Sequence, residues 1–160
     1  MTANVRLART SDAPDIARLT SQLGYDVPDA EVAARLARIL PGAGQRFFVA
    51  EHDGRPVGWL HAAITEYVET GRFVVVAGLV VDRGARRTGI GALLMQHAEA
   101  WARELGCPVV RLSSSAGRTA AHRFYERLGY TIIKTQFSFA KSLDAAAASN
   151  LMTFVPRIEP

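Results

Sequence analysis

The sequence predicts a mixed α/β fold in the order βααβββαβαββ, and three observations carry that expectation. Residues 73–81 are apolar and rich in β-branched side chains without interruption, the pattern of a strand buried on both faces. Asp53-Gly54 separates two strand-like runs and is a strong hairpin signal. Ile90, Leu93, Leu94, His97, Ala98, Trp101 and Leu105 fall on one helical stripe, and Gly106 follows where a closing glycine belongs. Strands and helices are thus expected around one buried central strand.

Residues 5–8 read as a first strand. Thr10-Ser11-Asp12 supplies good helix N-caps, and Pro14 suits a first helical turn. Ile16, Leu19 and Leu23 then recur at helical spacing until Gly24. A second helix follows Pro28-Asp29, with Val32, Leu36, Ile39 and Leu40 on one face and Pro41-Gly42 as its stop. Residues 47–51 and 57–68 are strands joined by His52-Asp53-Gly54-Arg55, and Glu69-Thr70-Gly71 turns the chain into the central strand. Arg83-Gly84 breaks that strand, and the helix at 89–105 follows. Residues 108–112 form a short strand, 113–117 a polar turn, and 118–128 a helix ended by Gly129. Residues 130–135 and 136–141 read as a last pair of strands. One domain is expected over residues 1–142, with 143–160 as a C-terminal tail. In that tail, Thr153-Phe154-Val155 either adds a strand to a second copy, giving a homodimer, or is a loosely ordered terminus.

Composition narrows the function classes. The 160 residues are 49% hydrophobic and 21% charged, which excludes a disordered chain and leaves enough material for a core without staples. A single cysteine, Cys107, permits no internal disulfide and reads as a structural thiol, and no Cys/His spacing suggests a metal. The first fifteen residues carry no apolar signal core, and no apolar run approaches the ~20 residues that cross a bilayer. A cytoplasmic protein with no membrane partner is the expectation. The net charge of +4 comes mostly from arginine. Its one dense cluster, Arg83, Arg86 and Arg87, suits a local anion site rather than a nucleic-acid track, so no nucleic-acid partner is expected.

The chemistry concentrates where the central strand meets the long helix. A helix N-terminus offers unpaired N–H groups and a positive dipole end, which favour phosphate. Gly89 and Gly91 let the backbone approach a diphosphate where a Cβ would collide, and Arg86 and Arg87 add positive charge beside it. A plain strand-to-helix turn that uses glycine only for geometry is the alternative. Leu94 stands where a dinucleotide fingerprint needs its third glycine, and no GxxxxGK[ST] occurs.

These residues resemble the GCN5-related N-acetyltransferase (GNAT) superfamily. Its Arg/Gln-x-x-Gly-x-Gly/Ala pattern is met by Arg86-Arg87-Thr88-Gly89-Ile90-Gly91 after a Leu-Val-Val strand. Ala121-His122-Arg123-Phe124-Tyr125-Glu126-Arg127-Leu128-Gly129-Tyr130 is similar to its A-x-x-FYE-x-x-GF segment, and the resemblance covers residues 4–142. It implies a mostly antiparallel mixed sheet with about four helices. The central strand would splay from residues 108–112, and acetyl-CoA would fill the wedge. The pyrophosphate would lie on the backbone of Arg86, Arg87, Thr88, Gly89, Ile90, Gly91 and Ala92, and the pantetheine arm would pair with Leu79, Val80 and Val81. The reaction implied is direct attack of a neutral amine on the thioester. A backbone N–H near Val81 would bind the developing oxyanion, and Tyr125 would protonate the leaving thiolate.

The resemblance leaves the general base open. No carboxylate stands on residues 73–81, and Glu66, Glu69, His61 or water alone remain as alternatives. Arg118 replaces an asparagine that some relatives carry and could pair with a phosphate of the cofactor. His122, one turn before Tyr125, either orients substrate or is a surface residue. The acceptor expected is a small-molecule primary amine. A protein lysine or N-terminus is the alternative, and so is a CoA-binding sensor or assembly module without catalysis. Asp26, Asp29, Glu31, Glu66 and Glu69 could supply negative charge for a cationic acceptor.

Overall fold

The computed structural model describes residues 2–144 and divides into two compact units at Ser113/Ser114. The first is built on a five-stranded sheet in chain order. Strands β1 (Asn4–Leu7), β2 (Gln45–His52), β3 (Arg55–Tyr67) and β4 (Gly71–Val81) pair antiparallel. The short β5 (Val110–Leu112) pairs parallel with β4. Sequence dictates the β2–β3 hairpin directly. Asp53 and Gly54 both have positive φ, 49° and 74°, as a tight turn matched to strand twist requires.

Helices α1 (Ala13–Ser21) and α2 (Asp29–Ile39) cover one face of the sheet. Ile16, Leu19, Val32 and Leu36 pack there with Phe47, Val49, Trp59 and Val80. Pro14 lies in the first turn of α1, where its missing N–H costs nothing, and Asp29 and Glu31 open α2 beside the positive dipole end. Helix α3 (Ile90–Glu104) covers the other face with Leu94, Met95 and Ala98 fully buried. A Cβ on Gly58 would reach Leu94 and Ile90 within 3.4 Å, which shows how closely β3 approaches that helix.

Two irregularities fall at the same level of β4. The β3 register shifts so that His61 faces Gly78 but Ala62 faces Val76, leaving Ala77 as the extra residue of a bulge. Pairing with β5 runs from Val74–Val110 to Val76–Leu112 and stops. Beyond Ala77, β4 therefore has a neighbour on one side only among the described residues.

The second unit holds α4 (Thr119–Arg127), whose Tyr125 ring lies edge-on to Phe124 and Tyr130 at 5.1 and 6.1 Å. The strand pair expected at 130–135 and 136–141 does not form: residues 130–142 carry no regular structure. A strand exists only through its ladder, and among the described residues no strand pairs with this segment, whatever its propensity. The shorter β5 has a local cause, since Pro108 has no N–H to give a ladder. Residues 145–160, and with them the added strand or loose terminus expected at Thr153-Phe154-Val155, lie outside the described residues.

Candidate active site

Beyond the bulge, Asp82 N–H donates to Val57 C=O at 2.8 Å. The two-residue alternation of the ladder then turns the main chain of Val80 toward β3 and that of Leu79 and Val81 outward. The side chain of Val80 is only 3% exposed, in the core beneath α1 and α2. Arg86 Nε donates to the outward carbonyl of Val81 at 3.3 Å. The outward row keeps the Val81 N–H and both main-chain groups of Leu79, an edge onto which an amide-bearing arm could add like a strand.

That edge leads into the arginine turn. Residues Arg83–Ala85 form one 3₁₀ turn, capped by Asp82, whose carboxylate accepts from Gly84 N–H at 3.1 Å. The turn is anchored to α1 at two points. Arg18 donates to Asp82 and to Pro56 C=O, and Gln22 Oε1 accepts from Arg83 N–H at 2.9 Å. The Arg18 guanidinium holds the Asp82 carboxyl below its ordinary range, so the cap stays ionised. Arg87 and Gly89 both have positive φ, 64° and 88°, which swings the chain back into α3. A Cβ on Gly89 would meet no atom within 4 Å, so within the chain φ, not space, requires glycine there.

Among the described residues no side chain caps α3 at its Gly89 N-cap, and the N–H groups of Ile90, Gly91 and Ala92 open the helix. Ile90 offers its N–H alone, because its side chain is buried against the sheet. Arg86, Arg87, Thr88 and Gly89 are exposed. Thr88 Oγ1 donates to Ala85 C=O at 2.6 Å and tightens the turn. Leu79, Val81, Arg86, Arg87, Thr88, Gly89, Ile90, Gly91 and Ala92 thus form one continuous strip of strand edge, turn and helix start. These groups suit a diphosphate joined to an amide arm.

Tyr125 and Arg118 belong to the second unit. Burial pushes the Tyr125 hydroxyl up, against the pull of Arg118, so it keeps its proton at neutral pH. Arg118 is exposed at the N-cap of α4. His122 lies three residues before Tyr125 with Nε2 3.0 Å from Ser115 C=O. Of the carboxylates considered as bases, Glu66 is exposed opposite Arg72 and Glu69 is exposed in the β3–β4 turn. His61 is half-buried on β3 across from Gly78. Its Nε2 lies 2.7 Å from Gln45 Oε1, a partner sequence reasoning missed because only strand register brings residues 45 and 61 together. Sequence reasoning also missed the tie from Arg18 and Gln22 to the turn, which spans more than sixty residues.

A groove of about 410 Å³ lies along α1 and the loop to α2, with Asp26, Asp29 and Arg18 in its lining. No helix among the described residues is long and apolar enough to cross a membrane.

A β-bulge that leaves one strand edge without a neighbour, followed by an arginine turn and the start of α3, gives this mixed α/β protein one strip of main-chain donors and positive charge. The sequence pattern of the Acetyltransferase (GNAT) family matches residues 14–130, and the chain belongs to that family of acyltransferases. The uncharacterised N-acetyltransferase YhdJ of Bacillus subtilis (strain 168) is 39% identical over 66 residues, 41% of this chain and less than half, 46%, of that protein. An aminoglycoside N(6')-acetyltransferase type 1 of Klebsiella aerogenes is 27% identical over 146 residues, 87% of this chain and 96% of that one. Among solved structures, AAC(6')-Iy in complex with the bisubstrate analogue CoA-S-monomethyl-acetylneamine shares the fold. Its TM-score is 0.80 at 22% identity, over 89% of this chain and 99% of that chain.

Proposed function

We propose that the chain transfers the acetyl group of acetyl-CoA to a primary amine of a small molecule through a ternary complex. The observation that carries this reading is the continuous strip from the free β4 edge to the uncapped start of α3, flanked by Arg86 and Arg87. Acetyl-CoA, when bound, supplies the activated thioester. Leu79 and Val81 then pair with the pantetheine arm, and the N–H groups of residues 86–92 take the diphosphate, with Arg118 as a further phosphate partner. The outward N–H of Val81 is the donor for oxyanion charge, and Tyr125, still carrying its proton, is the acid for the departing sulfur.

A small-molecule acceptor is favoured by the groove beside α1, where Asp26 and Asp29 offer negative charge to a cation. The relatives named for aminoglycoside acetylation suit the same reading. The buried, unpaired Cys107 suits a reducing compartment such as the cytoplasm. The reading includes a homodimer, supported by apolar side chains left in solvent after α4.

The test is thiol release from acetyl-CoA across a panel of amines, with the Tyr125→Phe protein beside the wild type. The expected result is turnover with one amine class, reduced at least ~10²-fold in Tyr125→Phe. Tight acetyl-CoA binding without turnover on any amine would replace the enzyme with a sensor. No binding at all would overturn the cofactor site.

A further inference from the structure

We propose that His61, oriented by Gln45, is the base that accepts the proton of the attacking amine, an inference that rests on the acetyltransfer reading above. His61 lies on β3 directly opposite Gly78, and Gly78 immediately precedes the stretch of β4 with the outward edge. Both residues belong to the sheet face beneath α1 and α2, where Phe47, Trp59 and Val80 also lie. Cross-strand neighbours on one face have Cβ atoms about 5 Å apart, so His61 starts one strand in from the point where the edge begins, with its ring leaning toward Phe47 and Gln45 of β2 and the Trp59 indole over Gly78.

The carboxylates are remote by comparison. Glu66 is five residues further along β3, roughly 16 Å at ~3.3 Å per residue, and it faces Arg72 at the start of β4. Glu69 lies beyond it in the turn.

The ring of His61 is fixed in two ways. It stacks on Phe47 with centroids 5.4 Å apart and planes at 25°, and its Nε2 meets Gln45 Oε1 at 2.7 Å. A carboxamide oxygen only accepts, so Nε2 carries the proton and Nδ1 keeps its lone pair. Among the described residues Nδ1 has no hydrogen-bond partner. Burial lowers the imidazole pKa from its ordinary 6.5, and no charged group of β2, β4, α1 or α2 adds to that effect. His61 is therefore a neutral proton acceptor at pH 7.

The amine nitrogen forms the C–N bond to the acyl carbon, the C–S bond breaks, and its electron pair leaves on sulfur. One N–H proton passes to His61 Nδ1, directly or through one water, and later returns to solvent. The sulfur takes a proton from Tyr125 or from solvent.

The decisive experiment is the pH profile of kcat/KM for wild type, His61→Ala and Gln45→Glu, together with acetyl-CoA affinity by calorimetry. Wild type should lose activity as pH falls through the His61 pKa, below 6.5. His61→Ala should lose ~10²-fold or more at neutral pH, and the acid limb with it, while acetyl-CoA affinity stays within about twofold. Gln45→Glu should move the limb to higher pH, because a carboxylate on Nε2 raises imidazole basicity. A purely structural histidine would move no limb.

A second readout needs no turnover: long-range ¹H–¹⁵N spectra of the wild type should show His61 protonated on Nε2. A His61 protonated on Nδ1 overturns the proposal. So does a His61→Ala protein that keeps both rate and limb in an enzyme that turns over acetyl-CoA, and in that case acetyltransfer itself stands. A wild type that neither binds acetyl-CoA nor acetylates any amine overturns both.

Discussion

Asp12 is buried, and its carboxylate would be costly were it not held on all sides. Arg6 grips both of its oxygens at 2.8 Å, the Arg9 N–H donates to it at 2.7 Å, and Arg6 also donates to Glu51 at 2.7 Å across β1 and β2. Burial alone would raise the Asp12 pKa, but the donors from Arg6 and Arg9 outweigh it and hold the carboxyl below 3.8. A depressed pKa stabilises the fold above the unfolded value and stops doing so as pH falls through the folded one. Asp12→Asn should therefore lose about 1–3 kcal/mol at pH 7 by urea unfolding, with the gap to wild type narrowing below pH ~4. An equal gap at both pH values would show that charge is not what holds this corner. Thr10-Ser11-Asp12 was legible as the place where a helix starts but not by the expected capping: the three form one 3₁₀ turn ahead of α1, and the Asp12 carboxylate accepts from Arg9 N–H instead of from α1. The arginine partner was not, because Arg6 reaches Asp12 only once β1 lies beside the helix start. Gln45 and His61 share that limit: each residue type is visible, but the bond between them exists only in the register of β2 and β3.

At the scale of elements, β4 shows both what a sequence reveals and what it conceals. Its unbroken apolar run predicts a strand buried on both faces, and Val74 and Val80 are indeed buried on opposite faces. The bulge at Ala77 leaves no mark in the sequence, because a bulge is a mismatch between two strands and not a property of one. Gly78 beside it has a packing cause. A Cβ there would stand 2.8 and 2.9 Å from Cζ3 and Cη2 of Trp59, a rigid ring that is itself 8% exposed and cannot swing aside cheaply. Gly78→Ala should cost about 1–3 kcal/mol and lower the thermal midpoint by several degrees. An unchanged midpoint would mean that the indole has room the packing does not show. The turn into α3 was legible because glycines and arginines cluster within six residues, and Gly89 does take the positive φ that such a turn needs. Its anchoring to α1 was not, since Arg18 and Gln22 carry no local sign of that task.

At the scale of the molecule, residues 130–142 are where sequence and single chain part most sharply. The strand propensity read there is real: Ile132, Ile133, Phe137 and Phe139 are the side chains that pleated sheets favour. Among the described residues they find no ladder, and they stand exposed, Phe139 at 94% and Phe137 at 89%. Covering a large apolar side chain contributes roughly 1.5–3 kcal/mol, so leaving four of them in solvent is a substantial penalty that a second copy can remove. The sheet also ends in β5, whose outer edge is unpaired among the described residues and open to another strand. The homodimer of the proposed function therefore draws on the segment after α4. Light scattering at micromolar concentration should return twice the 17.4 kDa chain mass. The Phe137→Asp, Phe139→Asp double variant should return the monomer mass while circular dichroism keeps its helical signal, because α1, α2 and α3 draw their packing from the first unit. A wild type of monomer mass at every concentration would remove the dimer and leave the acyltransferase fold of the first unit untouched. A double variant that stays dimeric would place the contact elsewhere on the chain.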